Sequence, residues 1–242
     1  MSSEYGGVSG VESASILLGT CARHLVALEP HLLAEPATAS AFARLAARAA
    51  AQGFDLRAAS AFRDYDRQNL IINQKWSGAR PVSDASGQPL AREGVSDRKW
   101  LEAILRFSAL PGTSRHHWGT DLDIWDASTV PGDYRPRLEA NEYAPGGVFA
   151  ALTAWLDELI AADNAEGFYK PYDVDRGGVA PEPWHISYRP VARSLQKAQC
   201  IDICWPLWRG DPDPEGHCHE AMAMLPLLER DGEALFNRFV LV

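Results

Sequence analysis

The stretch of residues 111–126 constrains the fold of this chain more than any other, because it sets reactive side chains on a predicted strand. It reads PGTSRHHWGTDLDIWD, and its last part alternates polar and apolar residues. Successive side chains of a β-strand point to opposite faces, so Leu122 and Ile124 can enter a core together. Asp121 and Asp123 then lie on the other face. The alternation predicts a strand with one buried face and one face that carries carboxylates towards a cleft.

Three residues from two separate clusters form a candidate metal site. Zn²⁺ prefers imidazole nitrogens and carboxylate oxygens, and a catalytic zinc has three protein ligands and one open position. His116, Asp123 and His185 supply that set, and Gly119 allows the tight turn that brings the first two together. On composition alone, His117 can replace His116 as the ligand. A metal-free domain in which these side chains form a hydrogen-bonded cluster is a further hypothesis.

The second cluster, Glu182-Pro183-Trp184-His185, is not expected on a helix. Pro183 removes a backbone donor and disfavours helix, so this is not the helical zinc motif with two histidines four positions apart. We expect Glu182 to end a turn and residues 184–188 to form a strand with His185 and Ser187 on one side. Glu182 then lies beside the metal position.

These clusters and a third element resemble one family of zinc peptidases. The pattern S-x-H-x-x-G-x-x-x-D from Ser114 to Asp123, followed by E-x-x-H from Glu182 to His185, is similar to that of the VanY-like peptidases of the M15 family. These are D-alanyl-D-alanine carboxypeptidases, related in fold to the hedgehog signalling domain. Upstream, the stretch SAFRDYDRQ at residues 60–68 resembles the family's serine, aromatic, arginine and glutamine signature. The three motifs occur in the family's order.

The resemblance implies a role for each matching residue. Zn²⁺ on the two histidines and the aspartate lowers the pKa of a bound water towards about 7 and polarises the scissile carbonyl. Glu182 is then the general acid/base, and Arg63 binds the developing oxyanion or a substrate carboxylate. Gln68 and Ser114 are candidates for holding the peptide terminus, although Ser114 also suits a turn. Asp121 departs from the family, which often has alanine there, and its charge can alter metal affinity, alter substrate preference or contact a ligand histidine.

The resemblance also implies the reaction. We expect a zinc-dependent peptidase that cleaves peptide bonds next to D-amino acids in peptidoglycan stem peptides or muropeptides, as a D-alanyl-D-alanine carboxypeptidase. A peptidoglycan endopeptidase and an L,D-carboxypeptidase of the same family are alternatives, because the shape of the groove decides which bond is cut. A non-catalytic zinc-binding recognition module is the alternative from another class. A pure binder has no need of Glu182 or Arg63, which disfavours it.

Charge and hydropathy exclude some partners. The net charge of -9 and the pI near 5.2 argue against nucleic acid as the main partner. The sequence also has no basic patch interleaved with aromatic residues. No run of about eighteen apolar residues predicts a membrane span. Residues 1–10 lack the basic start and apolar stretch of a secretion signal. This lack predicts a cytoplasmic protein. A periplasmic or exported location follows if a leader was removed or another route is used. The sequence leaves the oligomeric state open.

The predicted architecture is α+β, with a small, mostly antiparallel sheet that carries the zinc site and is flanked by helices, as in the hedgehog/DD-peptidase fold. Residues 1–36 are expected to form an N-terminal arm, 37–190 the peptidase domain and 191–242 a helical extension packed on the same domain. The polar segment 77–96 is predicted to be a flap beside the cleft or a surface insertion. Patterning predicts helices over 38–52, 64–76, 97–110 and 149–162, and strands over 54–62, 168–172 and 179–188.

Two further features favour structural interpretations. The four cysteines have no spacing typical of a small disulfide-rich protein, so we expect reduced thiols. The sequence GHCHE at residues 216–220 has the composition of a second metal site, but a polar start to the last helix explains it as well.

Overall fold

The computed structural model describes residues 10–84 and 88–241, which form an α+β fold in which helices surround two antiparallel sheets. The predicted fold class is confirmed. The helices are α1 (Gly10–Leu18), α2 (Pro36–Ala50), α3 (Tyr65–Trp76), α4 (Asp97–Leu105), α5 (Ala140–Tyr143), α6 (Ala150–Ala161), α7 (Arg189–Ala198), α8 (Trp205–Arg209) and α9 (Leu225–Phe239). The strands are β1 (Val26–Glu29), β2 (Leu32–Ala34), β3 (Leu56–Ser60), β4 (Asp121–Asp126), β5 (Phe168–Tyr169) and β6 (His185–Tyr188). Two short 3₁₀ helices span Arg115–Trp118 and Ala127–Thr129.

The larger sheet positions the candidate site through its strand order, β3-β4-β6-β5, in which every neighbouring pair is antiparallel. Strand β4 is therefore internal, with β3 on one side and β6 on the other. In the register of the sheet Asp123 lies opposite both Ser60 and His185. Cross-strand neighbours present their side chains on the same face, so the register alone places Asp123 and His185 side by side.

Helix α2 covers the opposite face of this sheet. Its N-terminus is capped by Glu35, whose carboxylate accepts hydrogen bonds from the backbone of Ala37 and Thr38, and Pro36 takes a first-turn position that needs no N–H donor. The cap starts the helix at Pro36 rather than at Thr38 as predicted. The predicted apolar stripe packs into one cluster with the sheet residues, formed by Phe42, Leu45, Ala49, Leu122, Ile124 and Ile186.

A second hydrophobic cluster joins the middle of the chain to its C-terminal segment. It is built from α3 and α4 on one side and α8 and α9 on the other. Its largest fully buried members are Tyr65, Trp100 and Trp208. The segment 191–242 thus contributes to a shared core, while the division of the chain into an arm, a domain and an extension stays a prediction.

Helix α4 and strands β3, β5 and β6 are shorter than predicted, and prolines explain the two last cases. Helix α4 ends at Leu105 instead of residue 110, and a turn follows it. Strand β6 begins at His185 instead of 179, since Pro181 and Pro183 cannot donate to a ladder. Strand β5 stops at Tyr169, two residues before Pro171.

The predicted flap is partly anchored in the core. Val82 is buried, and its carbonyl accepts a hydrogen bond from the Leu90 N–H at 2.8 Å. Ser83 and Pro89 form an isolated bridge between the two arms of this turn. Residues 85–87 of the predicted flap and residues 1–9 of the predicted arm lie outside the described residues. Among the described helices, none combines the length and apolar character needed to cross a membrane.

Candidate metal centre

The 3₁₀ helix Arg115–Trp118 presents His116, and Gly119 ends it. Gly119 has a φ of 73°, in the left-handed region that favours glycine. A Cβ atom there would lie 2.5 Å from a side-chain carbon of Leu25 and 3.0 Å from the backbone nitrogen of Glu35. The Glu35 N–H donates to the Gly119 carbonyl at 2.9 Å, which fixes the loop to the start of α2. The turn predicted at Gly119 therefore exists and permits a close backbone approach.

The structure brings together the three predicted ligands. One ligand atom from each of His116, Asp123 and His185 lies within 4.8 Å of the others, and all three residues are buried. His116 Nε2 is 3.3 Å from Asp123 Oδ2, and His185 Nδ1 is 3.2 Å from Asp123 Oδ1. Burial alone would raise the pKa of Asp123, but His116 and His185, when protonated, outweigh it and lower that pKa well below its usual range.

The unused atoms of this cluster fit a metal ion. His116 donates from Nδ1 to the Ala61 carbonyl at 2.8 Å, which leaves Nε2 as the acceptor nitrogen facing the cluster. His185 is held through Nε2, 3.0 Å from Asp121 Oδ1, so Nδ1 faces the cluster. Asp123 Oδ1 is buried and accepts no hydrogen bond among the described residues. Two nitrogens and a carboxylate oxygen that converge without hydrogen-bond donors match the ligand preference of Zn²⁺.

Asp121 lies behind His185 in a buried polar network. Its Oδ1 accepts a hydrogen bond from Arg115 Nε at 2.7 Å as well as from His185, and its Oδ2 accepts one from the Thr120 hydroxyl at 2.6 Å. Arg115 also donates to the Ser187 hydroxyl at 2.7 Å. Burial opposes the ionised carboxylate, but Arg115 and His185 lower the pKa of Asp121 well below its usual range. Of the three effects considered for this position, the structure shows contact with a ligand histidine.

His117 points away from the cluster. Its Nδ1 donates to the Arg63 carbonyl at 2.6 Å, and its Nε2 accepts the Gly112 N–H at 3.0 Å. Both bonds are satisfied by the neutral imidazole, and burial lowers the pKa of His117 to about 3. The adjacent histidines thus have separate tasks, His116 in the cluster and His117 in fixing the loop.

Glu182 lies beside the cluster on its more accessible side. Its Oε2 is 3.3 Å from His185 Nδ1, and its side chain is 13% exposed compared with 3% for His185. The Glu182 N–H donates to the Tyr172 carbonyl at 2.9 Å, which fixes the backbone that carries the carboxylate. The Tyr172 ring packs edge-on against the His185 ring, with centroids 5.0 Å apart. A proton acceptor with access to solvent is therefore held next to the metal position.

Arg63 is oriented by residues of its own motif. Its guanidinium donates to Gln68 Oε1 at 3.0 Å and to the Ser60 hydroxyl at 3.2 Å. Burial lowers the pKa of Arg63, and the charges of Asp123 and Glu182 oppose this effect, which places the guanidinium in the field of the cluster. Among the described residues, no carboxylate oxygen forms an ion pair with it.

Gln68 and Ser114 are less accessible than their predicted roles require. Gln68 is 0% exposed, its amide oxygen accepts from Arg63, and its amide nitrogen donates to the Ala109 carbonyl at 2.6 Å. In the structure, Gln68 orients Arg63 through the hydrogen bond that its amide oxygen accepts. Ser114 is 3% exposed and precedes the 3₁₀ helix that carries His116. Direct contact of either residue with a peptide terminus stays a prediction.

Sequence reasoning missed Arg115, Tyr172 and Lys75. Arg115 lies inside the first motif and reaches His185 through Asp121, whereas Tyr172 lies outside the motifs and packs its ring against His185. A signal did exist for Arg115, since a buried carboxylate such as Asp121 demands a cationic partner. Lys75 lies seven positions after Gln68, on the same face of α3.

The second histidine cluster does not gather metal ligands. His219 lies between two carboxylates, with Nδ1 2.7 Å from Asp66 and Nε2 3.4 Å from Asp213. Within residues 10–84 and 88–241, the set at His116 is the only group of three such side chains close enough to share an ion. All four cysteines are free thiols.

Fold and site together define the class of this protein. An α+β domain whose central strands hold two histidines and an aspartate, with a glutamate beside them, has the ligand set and the base of a metallopeptidase-type protein.

Within that class, the chain belongs to the VanY family. The family's sequence model, described as D-alanyl-D-alanine carboxypeptidase, matches residues 31–191, a range that contains all three motifs. The resemblance noted in the sequence is thereby confirmed.

Similar proteins include both uncharacterised and structurally known ones. An uncharacterised protein of Haemophilus influenzae is 37% identical over 103 residues, which cover 42% of this chain and 77% of that protein. The structure of VanYB in complex with D-alanine-D-alanine is similar with a TM-score of 0.48 and 21% identity, over 75% of this chain and 87% of that one. The LdcB LD-carboxypeptidase has a TM-score of 0.48 and 25% identity, over 77% and 83% of the two chains.

Proposed function

We propose that this protein is a zinc-dependent peptidase that removes the terminal D-alanine from peptidoglycan stem peptides, as a D-alanyl-D-alanine carboxypeptidase. Membership of the VanY family supports the substrate class. The observation that carries the proposal is the buried cluster of His116, Asp123 and His185, with its acceptor atoms turned inward and Glu182 beside it. This arrangement combines a metal site with a base at one position.

Each residue has a distinct task in the hydrolysis. When bound at the three ligands, Zn²⁺ supplies Lewis-acid polarisation of the scissile carbonyl. As the oxygen of the attacking water bonds to the carbonyl carbon, Glu182 takes a proton from that water. Glu182 then delivers that proton to the leaving nitrogen as the C–N bond breaks. Arg63 binds an anionic oxygen of the substrate, because Gln68 and Ser60 orient its two terminal nitrogens and no carboxylate of the described residues pairs with it.

Digestion of defined muropeptides tests this function. Purified protein would be incubated with tetrapeptide stems, pentapeptide stems and a cross-linked dimer, and the products weighed by mass spectrometry. We expect the pentapeptide to lose one D-alanine, and we expect Glu182→Ala to slow the reaction by about 10²–10⁴-fold because the proton transfer is lost. A chelator should abolish it. Glu233→Ala, which removes an exposed carboxylate on α9, is the matched control and should leave the rate unchanged.

Other product patterns assign other functions. An internal cut in the dimer identifies an endopeptidase, and loss of D-alanine from the tetrapeptide identifies an L,D-carboxypeptidase. If stoichiometric zinc binds but no stem is cleaved, the catalytic proposal fails and a zinc-binding recognition module takes its place.

A further inference from the structure

Lys75 is a half-buried cation in the last turn of α3. Its Nζ donates to the Ser108 hydroxyl at 2.6 Å, and no ion pair is formed with any carboxylate of residues 10–84 and 88–241. Burial, with the charges of Arg80 and Arg63, lowers the pKa of Lys75 to about 8, although the charge of Glu182 opposes this shift. Burying an ammonium group costs free energy unless a ligand or a partner offsets it. This cation is thus placed where a carboxylate would stabilise it.

Helix α3 places Lys75 on the same face as Gln68, the residue that holds Arg63. We call this face, together with Arg63, the wall. Gln68 and Lys75 are seven positions apart, about two turns, so both face the same side of the helix. Gln68 donates to the Ala109 carbonyl, and Lys75 donates to the neighbouring Ser108. Since Gln68 also holds Arg63, the two cations lie along one line, with Lys75 displaced by about 10 Å along the helix axis. An extended peptide spans that distance with about three residues.

The wall carries more positive charge than its surroundings balance. Arg63, Lys75 and Arg80 are close enough for their charges to influence one another, and none forms an ion pair among the described residues. The whole chain nevertheless has a net charge of -9. Unpaired cations grouped beside a catalytic position in an acidic protein are suited to an anionic substrate with more than one carboxylate.

We propose that Lys75, with Arg80 beside it, forms a second carboxylate subsite, which binds an internal acidic residue of the substrate peptide while Arg63 binds the reacting end. The proposal rests on the proposed function and gives it a specificity. Stem peptides in which the internal carboxylate is free are preferred over those in which it is amidated.

The test uses two stem peptides that differ only in a free or amidated internal carboxylate. The zinc-loaded wild-type protein, Lys75→Met and Lys75→Arg would each be assayed for kcat/KM on both peptides. We expect the wild type to prefer the free carboxylate by about tenfold, the size of a hydrogen bond to a charged group. Lys75→Met should remove this preference by slowing only the free peptide, and Lys75→Arg should keep it. Ser108→Ala, which retains the charge, is the matched control.

The preference should also depend on pH in one direction. Lys75 is charged below its pKa near 8 and neutral above it, so the ratio of the two kcat/KM values should fall as the pH rises through 8. The groups that act on Lys75 are the Ser108 hydroxyl and the charged side chains of Arg63, Arg80 and Glu182. Effects of pH on the chemical step cancel in the ratio.

Binding separates this proposal from the proposed function. The affinities of both peptides would be measured by calorimetry in a zinc-loaded Glu182→Gln background, where no turnover is needed. An equal loss on both peptides in Lys75→Met, or a loss that follows amidation of the C-terminal carboxylate instead, overturns the subsite. If Lys75→Met fails to fold, Arg80→Met provides the same comparison at the exposed member of the pair. Failure of the wild type to cleave either peptide contradicts only the proposed function.

Discussion

At the scale of single residues, the two histidines of the candidate metal site are not equivalent. His116 is held by a backbone carbonyl, that of Ala61, and turns Nε2 to the metal position. His185 is held by the carboxylate of Asp121 and turns Nδ1 to it. A charged acceptor makes the imidazole a stronger ligand than a neutral one does. The strength of His185 as a ligand therefore depends on a side chain that a substitution can remove.

Replacing Asp121 should weaken metal binding more than it changes the fold of the sheet. We expect Asp121→Ala to lower zinc affinity by about 10–100-fold, because His185 loses the acceptor that fixes its tautomer and orientation. Asp121→Asn keeps an acceptor oxygen without the charge, so its affinity should be intermediate. Zinc affinity would be measured by competition with a chromogenic chelator. Thr120→Val removes only the hydroxyl that donates to Oδ2 and should bind zinc like the wild type.

Loss of Asp121 also leaves Arg115 without its carboxylate, so stability must be followed separately. Thermal unfolding in the presence of a chelator reports that effect without metal. If Asp121→Ala binds zinc as tightly as the wild type while its stability falls, Asp121 stabilises the fold and does not position the ligand.

At the scale of elements, the loop between α4 and β4 depends on segments outside it as well as on its own hydrogen bonds. The 3₁₀ helix has four residues, too few to be stable alone. His117 binds the Arg63 carbonyl, and the Gly119 carbonyl binds the Glu35 backbone. The loop therefore holds its shape only while α2 and the start of α3 are in place.

Gly119→Ala tests this close approach. Gly119 and Gly53 both have positive φ, 73° and 89°, but only at Gly119 would a Cβ meet other atoms within 4 Å. We expect Gly53→Ala to cost about 1–2 kcal/mol through backbone strain alone. Gly119→Ala should lower the free energy of unfolding by at least about 1 kcal/mol more than Gly53→Ala does. It should also weaken zinc binding, because the backbone of Glu35 cannot shift without moving α2. Denaturant unfolding measures both costs, and equal values for the two variants would show that the space around Gly119 is not limiting.

At the scale of the whole molecule, the C-terminal segment donates hydrogen bonds to the loop that carries His116, called here the metal loop. Trp208 Nε1 donates to the Pro111 carbonyl at 2.9 Å, and Gln199 donates to the Gly112 carbonyl at 2.7 Å. Both acceptors lie at the start of the loop that carries His116. The second hydrophobic cluster therefore contributes to the geometry of the site as well as to stability.

Trp208→Ala should destabilise the protein by about 3–5 kcal/mol, because it empties a fully buried position in that cluster. Trp208→Phe keeps most of the volume but loses the hydrogen bond to Pro111, so we expect a smaller cost of about 1–2 kcal/mol. Urea unfolding would give both values. A loss below about 1 kcal/mol in Trp208→Ala would mean that the C-terminal segment is not part of the cooperative core.

The sequence was sufficient for those features whose signal is local. The alternation around Leu122 and Ile124 predicted the strand, and the spacing of the motifs predicted which residues converge with Asp123. Composition alone could not tell the adjacent histidines apart, because the orientation of His117 depends on its bonds to Gly112 and Arg63 in the folded chain. The same holds for the contact of Trp208 with the Pro111 carbonyl, which joins residues 97 positions apart in sequence.

The pairing of β4 with β6 affects the order of events during folding. Asp121 and His185 are 64 residues apart in sequence, and closing so long a segment is a slow, entropically costly step of folding. Until β6 has paired, a nascent or refolding chain holds His116 and Asp123 but not the third ligand. We therefore expect a metal ion to bind late, once the sheet is complete, so that an unfinished chain cannot yet form the proposed catalytic site.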